Sequence, residues 1–528
     1  MRKLDFMTWN TNKRILISGI AVLTLLFISN YNSIFDSKLD ANGDNYHYYI
    51  LGKSLNEGNG YRSSYTPTNQ LHNHYPPGYP FLISVMMVFS DSFDFIKTMN
   101  GVFLLGSILL LCLIYYNFTK IKRPFVYVFI GIFCLLNYNL LKYSTIMMSE
   151  ISFTFFSIAS LFLFFLMEKE EKRRRKYLYL FLLITTVSLT FYIRTTGVIM
   201  FLTFFFYYIS QKQWKKSLVV VGLSILIIAP WQIRSSVYGL KSSYQGQLLA
   251  KNPYNRAEGA ANFGDFLERF ATNVNRYISK EIPNGVFPFL KVNYNQPEES
   301  DVSQPVAGVL TLIFAFLGLF FIEKKLGIML FLYIAGTFTV LLLWPVSWYG
   351  TRFFLPLVPL FLFLIFVGFF ELVVFALQKL KINSQLIPYT IFILISLVFF
   401  KNFSPAINDL KKVASAPNPP GLNDFIKIAE YAKVNLPSDA VVANRKGQIF
   451  YVHSGKKALR YPDNPVTEEV LEFFDEKNIT HVIVDRLGYS STGRFLVPVI
   501  NKHRDRFTLI REVGNPSTLL FKYNNGKS

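Results

Sequence analysis

Two carboxylates and three guanidinium groups stand where an apolar chain does not ordinarily place them. Glu150 lies in STIMMSEISFTFF with apolar residues on both sides. An acidic residue at such depth in an apolar run is costly and by default marks a functional site. The plainer alternative is a glutamate opening a helix that Ser149 caps. Asp44, with Asp40 just upstream, precedes NYHYYILGKSL, whose apolar spacing predicts a helix lying on a membrane surface. Asp44 then sits at the helix N-terminus, where the dipole favours the ionised form, and an ionised, oriented carboxylate is what a general base needs. A solvated loop aspartate is the plainer alternative here. Arg194 in YIRTTGV, Arg234 in PWQIRSS and Arg352 in WYGTRFFLP each end or begin an apolar run. One such arginine can snorkel to lipid headgroups. Three of them beside two suspicious carboxylates read as an anion site, because the planar fork of arginine gives paired, charge-assisted hydrogen bonds to phosphate.

Histidine is less decisive. Of six in the chain, His47, His72 and His74 fall in the same loop as Asp44. The HNH at 72–74 could supply imidazole to a divalent cation (Mg, Mn or Zn), with Asp44, Glu150 and His74 as the candidate ligand set. Alternatively, His72 and His74, like Tyr48, hydrogen-bond within a tyrosine-rich loop or touch substrate. Both cysteines, Cys112 and Cys134, lie in apolar runs and suit small core positions. No phosphate-binding loop or dinucleotide fingerprint is present.

The elements that must hold these residues are membrane spans. The chain has 528 residues, 52% hydrophobic and only 16% charged, against roughly 25% charged in an average soluble domain. Disordered chains, ordinary soluble domains and disulfide scaffolds are excluded. The formal charge of +21 would suit nucleic acid, but much of the excess sits in short clusters between apolar runs, which is a topology signal. At about 20 apolar residues per crossing, about eleven spans are expected, near 14–33, 98–118, 124–142, 146–167, 177–193, 196–210, 217–234, 305–322, 326–345, 352–376 and 385–402. The segment 79–90 is too short and reads as interfacial or re-entrant. With the N-terminus inside, the loops at 120–123, 168–176, 212–216, 323–325 and 378–381 are all inside and all basic. The same parity puts 34–97, 235–304 and everything after about 403 outside, so the chemistry is expected on the outer face. The expected organisation is a mainly α membrane domain over 1–403, with outer loops 34–97 and 235–304, and a small soluble α/β domain over 404–528. In that tail, DFIKIAEYAKVN and TEEVLEFFDEKN read as helices, and AVVAN, THVIVD, FTLIREV and STLLFKY as strands.

These stretches together resemble a family. Asp44, Tyr48, Gly52 and Leu55, then EGNGY and HYPPGYP, resemble the first outer loop of GT-C glycosyltransferases that use polyprenyl-phosphate sugars, such as protein O-mannosyltransferases and bacterial aminoarabinose transferases. MMSE at 147–150 is similar to the family's Ser-Glu opening of the fourth span, PWQIR at 230–234 to its PW-x-x-R(N) motif, and RFFLPLVP at 352–359 to its R-(F/Y)-x-x-P-x-x-P stretch. Two departures stand out: the usual Asn after Arg234 is Ser235, and the acidic pair common in the catalytic loop is Asp44-Asn45, which removes any metal or acceptor role of the second acid. The resemblance implies an inverting glycosyltransferase with Asp44 in the catalytic position. A lipid-linked donor, Glu150 in an orienting role and phosphate contacts from Arg352, Arg234 and Arg194 complete the expectation. The acceptor is a lipid, a glycan or a protein, and no nucleic acid is involved. The loop pattern is similar to bacterial members, which implies the inner membrane with the site and tail facing the periplasm. Rival readings are a ligase or polymerase of lipid-diphosphate glycans, a lipid or glycan transporter, and a non-catalytic scaffold. No inverted repeat supports the transporter.

Overall fold

The computed structural model of the chain describes residues 2–41, 43–119, 121–240, 243–255, 258–290, 292–294, 300–382, 384 and 386–525. It is mainly α-helical and divides into two units. One comprises Met1–Asp36, Asn73–Tyr79 and Lys97–Ala414, and the other Ser37–His72, Pro80–Ile96 and Ser415–Ser528.

The first unit is a bundle of apolar helices. Among the described residues nine helices are long and apolar enough to cross a membrane, or ten if one bent pair counts as a span. The pair is Pro124–Leu136 and Tyr138–Ser144, bent by 64°. Buried Asn137 causes the bend: its backbone is extended and its Oδ1 accepts from Leu140 N at 3.1 Å, restarting the helix. The run expected at 196–210 is a helix of 13 residues, Val198–Ser210, entered through the 3-10 turn Thr195–Gly197. At about 20 Å it is shorter than the hydrocarbon core. The expected short segment at 79–90 is the helix Gly78–Met87.

Long apolar side chains such as Leu218, Leu226 and Phe320 stay exposed on these helices, an arrangement that water would penalise and lipid does not. Where helices touch, small residues let backbones meet. A Cβ on Gly318 would lie 2.2 Å from Leu364 O, and one on Gly368 2.6 Å from Phe314 O, so the helices Ser303–Phe321 and Val358–Lys379 cross in backbone contact. The expected domain boundary at 403/404 falls inside a continuous helix, Leu386–Ser415, which tolerates Pro405.

The second unit gathers the first outer loop with the tail. Its sheet has strands β1 (Val441–Ala443), β2 (Lys457–Leu459), β3 (His481–Val484), β4 (Phe507–Val513) and β5 (Thr518–Tyr523), in the order β2-β1-β3-β5-β4. The first three are mutually parallel, and β5 pairs antiparallel with both β3 and β4. β3, central in the sheet, is buried along its whole length. Strand β2 and the helix Gly447–Ser454 were not anticipated; three residues are too few for a periodicity. The outer loop covers the free edge of β2: Ala458 N donates to Tyr65 O at 2.8 Å and Lys457 Nζ to Ser64 O at 2.6 Å. An exposed strand edge is a liability, and here the chain's own loop removes it.

Candidate active site: a buried glutamate shared by two arginines

Glu150 is the first residue of the helix Glu150–Lys169 and is wholly buried. Ser149 makes no side-chain cap. Its hydroxyl instead accepts from Arg194 Nη1 at 3.2 Å, and the same nitrogen donates to Glu150 Oε1 at 2.7 Å. Arg352 Nε donates to that same oxygen at 3.1 Å. Glu150 Oε2 is buried with no hydrogen-bond partner among the described residues. Burying one carboxylate costs several kcal/mol unless charge-assisted bonds offset it. Two guanidinium groups against one carboxylate leave the trio with one net positive charge, the electrostatics of an anion site.

Local structure explains how three distant segments converge. Buried Asn100 donates to Ile146 O at 2.8 Å and Met148 O at 2.9 Å and accepts from Ser152 Oγ at 2.8 Å, fixing the irregular stretch that leads into Glu150. Arg194 follows the helix Arg173–Ile193 in an extended conformation. Gly78, from the PPGYP stretch, packs on the backbone just before it; a Cβ there would lie 2.4 Å from the Tyr192 carbonyl carbon. Arg352 sits in the 3-10 turn Thr351–Phe353, after Gly350 at φ +112°, a conformation that favours glycine. Its guanidinium also lies 5.1 Å from the Phe353 ring centroid.

Arg234 occupies a different setting. Its Nη1 donates to Asn73 Oδ1 at 3.3 Å, Ser235 Oγ donates to the same atom at 2.9 Å, and its guanidinium stacks over Trp231 at 4.8 Å. In the HNH stretch the middle residue is the one that meets Arg234 and Ser235. His74 meets the Tyr75 ring edge-on at 4.5 Å.

Asp44, Tyr48 and His72 belong to the second unit. Asp44 is half-buried and precedes the helix Asn45–Asn56, as its spacing predicts, but its side chain makes no cap hydrogen bond. Tyr48 is buried, with its backbone N–H on Asp44 O at 3.0 Å. His72 Nδ1 lies 3.0 Å from Ser63 Oγ, and its ring packs edge-on against Tyr61. Gly52 allows the helix to close on its neighbour; a Cβ there would lie 2.5 Å from Ile83 Cγ2.

Glu150 is committed to two guanidinium groups, whose charge opposes a cation. Among the described residues no group of three or more His, Cys, Asp or Glu side chains is arranged to hold a metal.

A second buried acid stands in a stretch that carries no motif. Glu281, in SKEIPNG, is wholly buried, with Arg276 Nε at 3.1 Å and Gly350 N donating to its Oε1 at 3.3 Å. Its only signal was a charged residue before Ile-Pro, in a loop that offered no other motif.

The fold has counterparts among known proteins. Residues 59–238 match the family model described as dolichyl-phosphate-mannose-protein mannosyltransferase. Among solved structures, the oligosaccharyltransferase AglB from Archaeoglobus fulgidus, in complex with an inhibitory peptide and a dolichol-phosphate, is similar over 97% of this chain and 74% of its own, with a TM-score of 0.59 and 13% identity. ArnT from Cupriavidus metallidurans bound to undecaprenyl phosphate is similar over 96% of this chain and 98% of its own, with a TM-score of 0.58 and 9% identity. A search of curated protein sequences finds no significant match.

Proposed function

We propose that the chain transfers a sugar from a polyprenyl-phosphate-linked donor to an acceptor, with inversion, on the outer and periplasmic side of a bacterial inner membrane. The observation that carries this reading is the pair Arg194 and Arg352 sharing one buried oxygen of Glu150. Phosphate is the anion that such a cluster suits. The two structural neighbours found with a polyprenyl or dolichol phosphate support the choice, and the basic inside loops support the orientation.

In the reaction, an acceptor hydroxyl or amine attacks the anomeric carbon and forms the new bond there. The bond from that carbon to the phosphate oxygen breaks, and polyprenyl phosphate leaves with the electron pair. Asp44 takes the acceptor's proton, a step worth roughly 10²–10⁴-fold. The leaving phosphate is already a stable anion and needs cationic stabilisation more than an acid, the effect that is often the largest in catalysis. Arg352 is assigned to that phosphate first, then Arg234 and Arg194. Glu150 orients the two guanidinium groups it holds. Tyr48, His72 and His74 are assigned to substrate, and the C-terminal α/β part to no chemical step.

The test uses purified full-length protein in nanodiscs with a panel of polyprenyl-phosphate sugars and acceptors, following release of polyprenyl phosphate by mass spectrometry. Release that disappears in Asp44→Asn and Arg352→Ala supports the reading. Release only from lipid-diphosphate glycans moves the protein to the ligase class, and no cleavage of any donor removes the transferase reading.

A further inference from the structure

The turn that carries Arg352 is tied down by a cluster that has no part in the proposed transfer step. Arg276 donates through Nη1 to Val346 O at 2.6 Å and through Nη2 to Trp348 O at 3.3 Å. Its Nε faces Glu281 Oε1, the atom that also accepts from Gly350 N. Two residues beyond Gly350 comes Arg352. Between them, Thr351 Oγ1 donates to Asn284 Oδ1 at 2.7 Å and lies 3.0 Å from Tyr294 OH. The segment supplying Glu281 is itself immobilised. A Cβ on Gly308 would lie 1.8 Å from Ile278 O, so the helix Ser303–Phe321 presses on its backbone. Asn137 and Asn139 hold Gly285 O and Asn284 O, each at 2.8 Å. A wholly buried carboxyl is expensive, and a plain structural link at Gly350 would need only a backbone carbonyl.

We propose that Glu281 is a positioning residue for the transfer: acting through Arg276 and the Gly350 amide, it sets the 345–352 turn so that Arg352 meets Glu150 and the donor phosphate. The inference rests on the proposed phosphate role of Arg352. A guanidinium displaced by about 1 Å loses much of its value to a reacting group, so the effect of Glu281 on donor binding passes through Arg352 and is not additional to it.

The experiment is a double-mutant cycle on full-length protein in nanodiscs, with undecaprenyl phosphate as the probe, joined to hydrogen exchange of the 345–352 backbone amides. Glu281→Gln is expected to weaken the probe about tenfold and to speed exchange in that turn, while exchange in 150–169 stays as it was. Arg352→Ala is expected to weaken the probe at least as much, and the double variant no more than Arg352→Ala alone, the mark of coupled residues. Gly421→Ala, whose Cβ would lie 2.2 Å from Arg486 O within the second unit, serves as the control for general destabilisation and should leave probe affinity unchanged. If Glu281→Gln fails to accumulate, Glu281→Asp keeps the charge, shortens the reach and carries the same expectation at smaller size. Multiplying losses in the double variant, or unchanged exchange in the turn, overturns the proposal. Should wild-type protein ignore undecaprenyl phosphate, the reaction assigned above falls, and the exchange measurement still decides separately whether Glu281 holds the turn.

Discussion

Arg352 and Arg194, 158 positions apart (352 − 194), both donate to the same oxygen of Glu150, at 3.1 Å and 2.7 Å. A carboxylate with two guanidinium partners on one atom acts as a fixed pivot. It orients both positive groups and leaves the trio cationic. The chemistry of Glu150 is therefore best tested through what it holds.

Glu150→Ala removes the pivot and leaves two guanidinium groups facing a buried void. Breaking a buried ion pair from one side costs about 3–5 kcal/mol, so the thermal unfolding midpoint in detergent should fall by several degrees. Glu150→Gln, which keeps the volume and one acceptor, should lose less stability. It should still lose donor turnover.

Arg352→Ala should lower turnover of a polyprenyl-phosphate sugar by about 10²-fold or more, the scale of removing one group that stabilises developing charge. Arg352→Lys should recover only part of it, since a point charge cannot replace a planar fork. Single-turnover rates of phosphate release measure both. Equal activity of the Lys and Ala variants would indicate that charge alone is not what the site uses.

Asp44→Asn is isosteric and should leave membrane accumulation and unfolding unchanged. Turnover should fall by roughly 10²–10⁴-fold. A transporter or scaffold would tolerate the change, so the comparison of amount against activity separates the classes.

Burial pushes the Glu281 carboxyl up to about 7, with Arg276 and the Gly350 amide pulling the other way. Arg276, Lys280, Tyr277 and Tyr294 are the charged and titratable groups around it. The folded state then holds a proton that the unfolded state releases above its ordinary value of 4.5. This group's contribution to stability is complete below about 4.5, declines as pH rises to about 7 and is gone above it, a change on the order of 3 kcal/mol. Donor affinity should move the other way, rising through pH 7 as the ionised carboxylate grips the Gly350 N–H more firmly. Glu281→Gln should flatten both profiles, which unfolding and probe titrations between pH 5 and 8.5 can follow.

Much of the framework was legible because membrane spans and amphipathic elements write themselves into local composition. The helix after Asp44, the apolar runs and four of the five strands needed only period and length. Contacts between distant segments were not written there. Glu150 and the arginines were each suspicious alone, but their sharing of one oxygen depends on Asn100, Gly78 and Gly350 shaping three separate turns. Asn73 carries little signal beside the richer chemistry of its flanking histidines, although its amide oxygen is the acceptor that Arg234 and Ser235 share. The run at 124–142 reads as one apolar span, since a single asparagine barely lowers its hydropathy, and yet Asn137 bends it. The membrane domain was expected to end at 403, where hydrophobicity falls, but the backbone keeps its helix to Ser415. Glu281 had no motif at all, because its role is set by burial.

The contact of Lys457 with Ser64 joins residues 393 apart in sequence. A ribosome delivers the loop containing Asp44 well before the strand that secures it, so the loop waits through the synthesis of the intervening residues without that support. Strands β3 and β5 come later still, and the sheet is incomplete until they pair. The protein thus cannot assemble its first outer loop in the order it is made. A chain arrested before residue 457 would carry the Asp44 loop without the contacts that join it to β2.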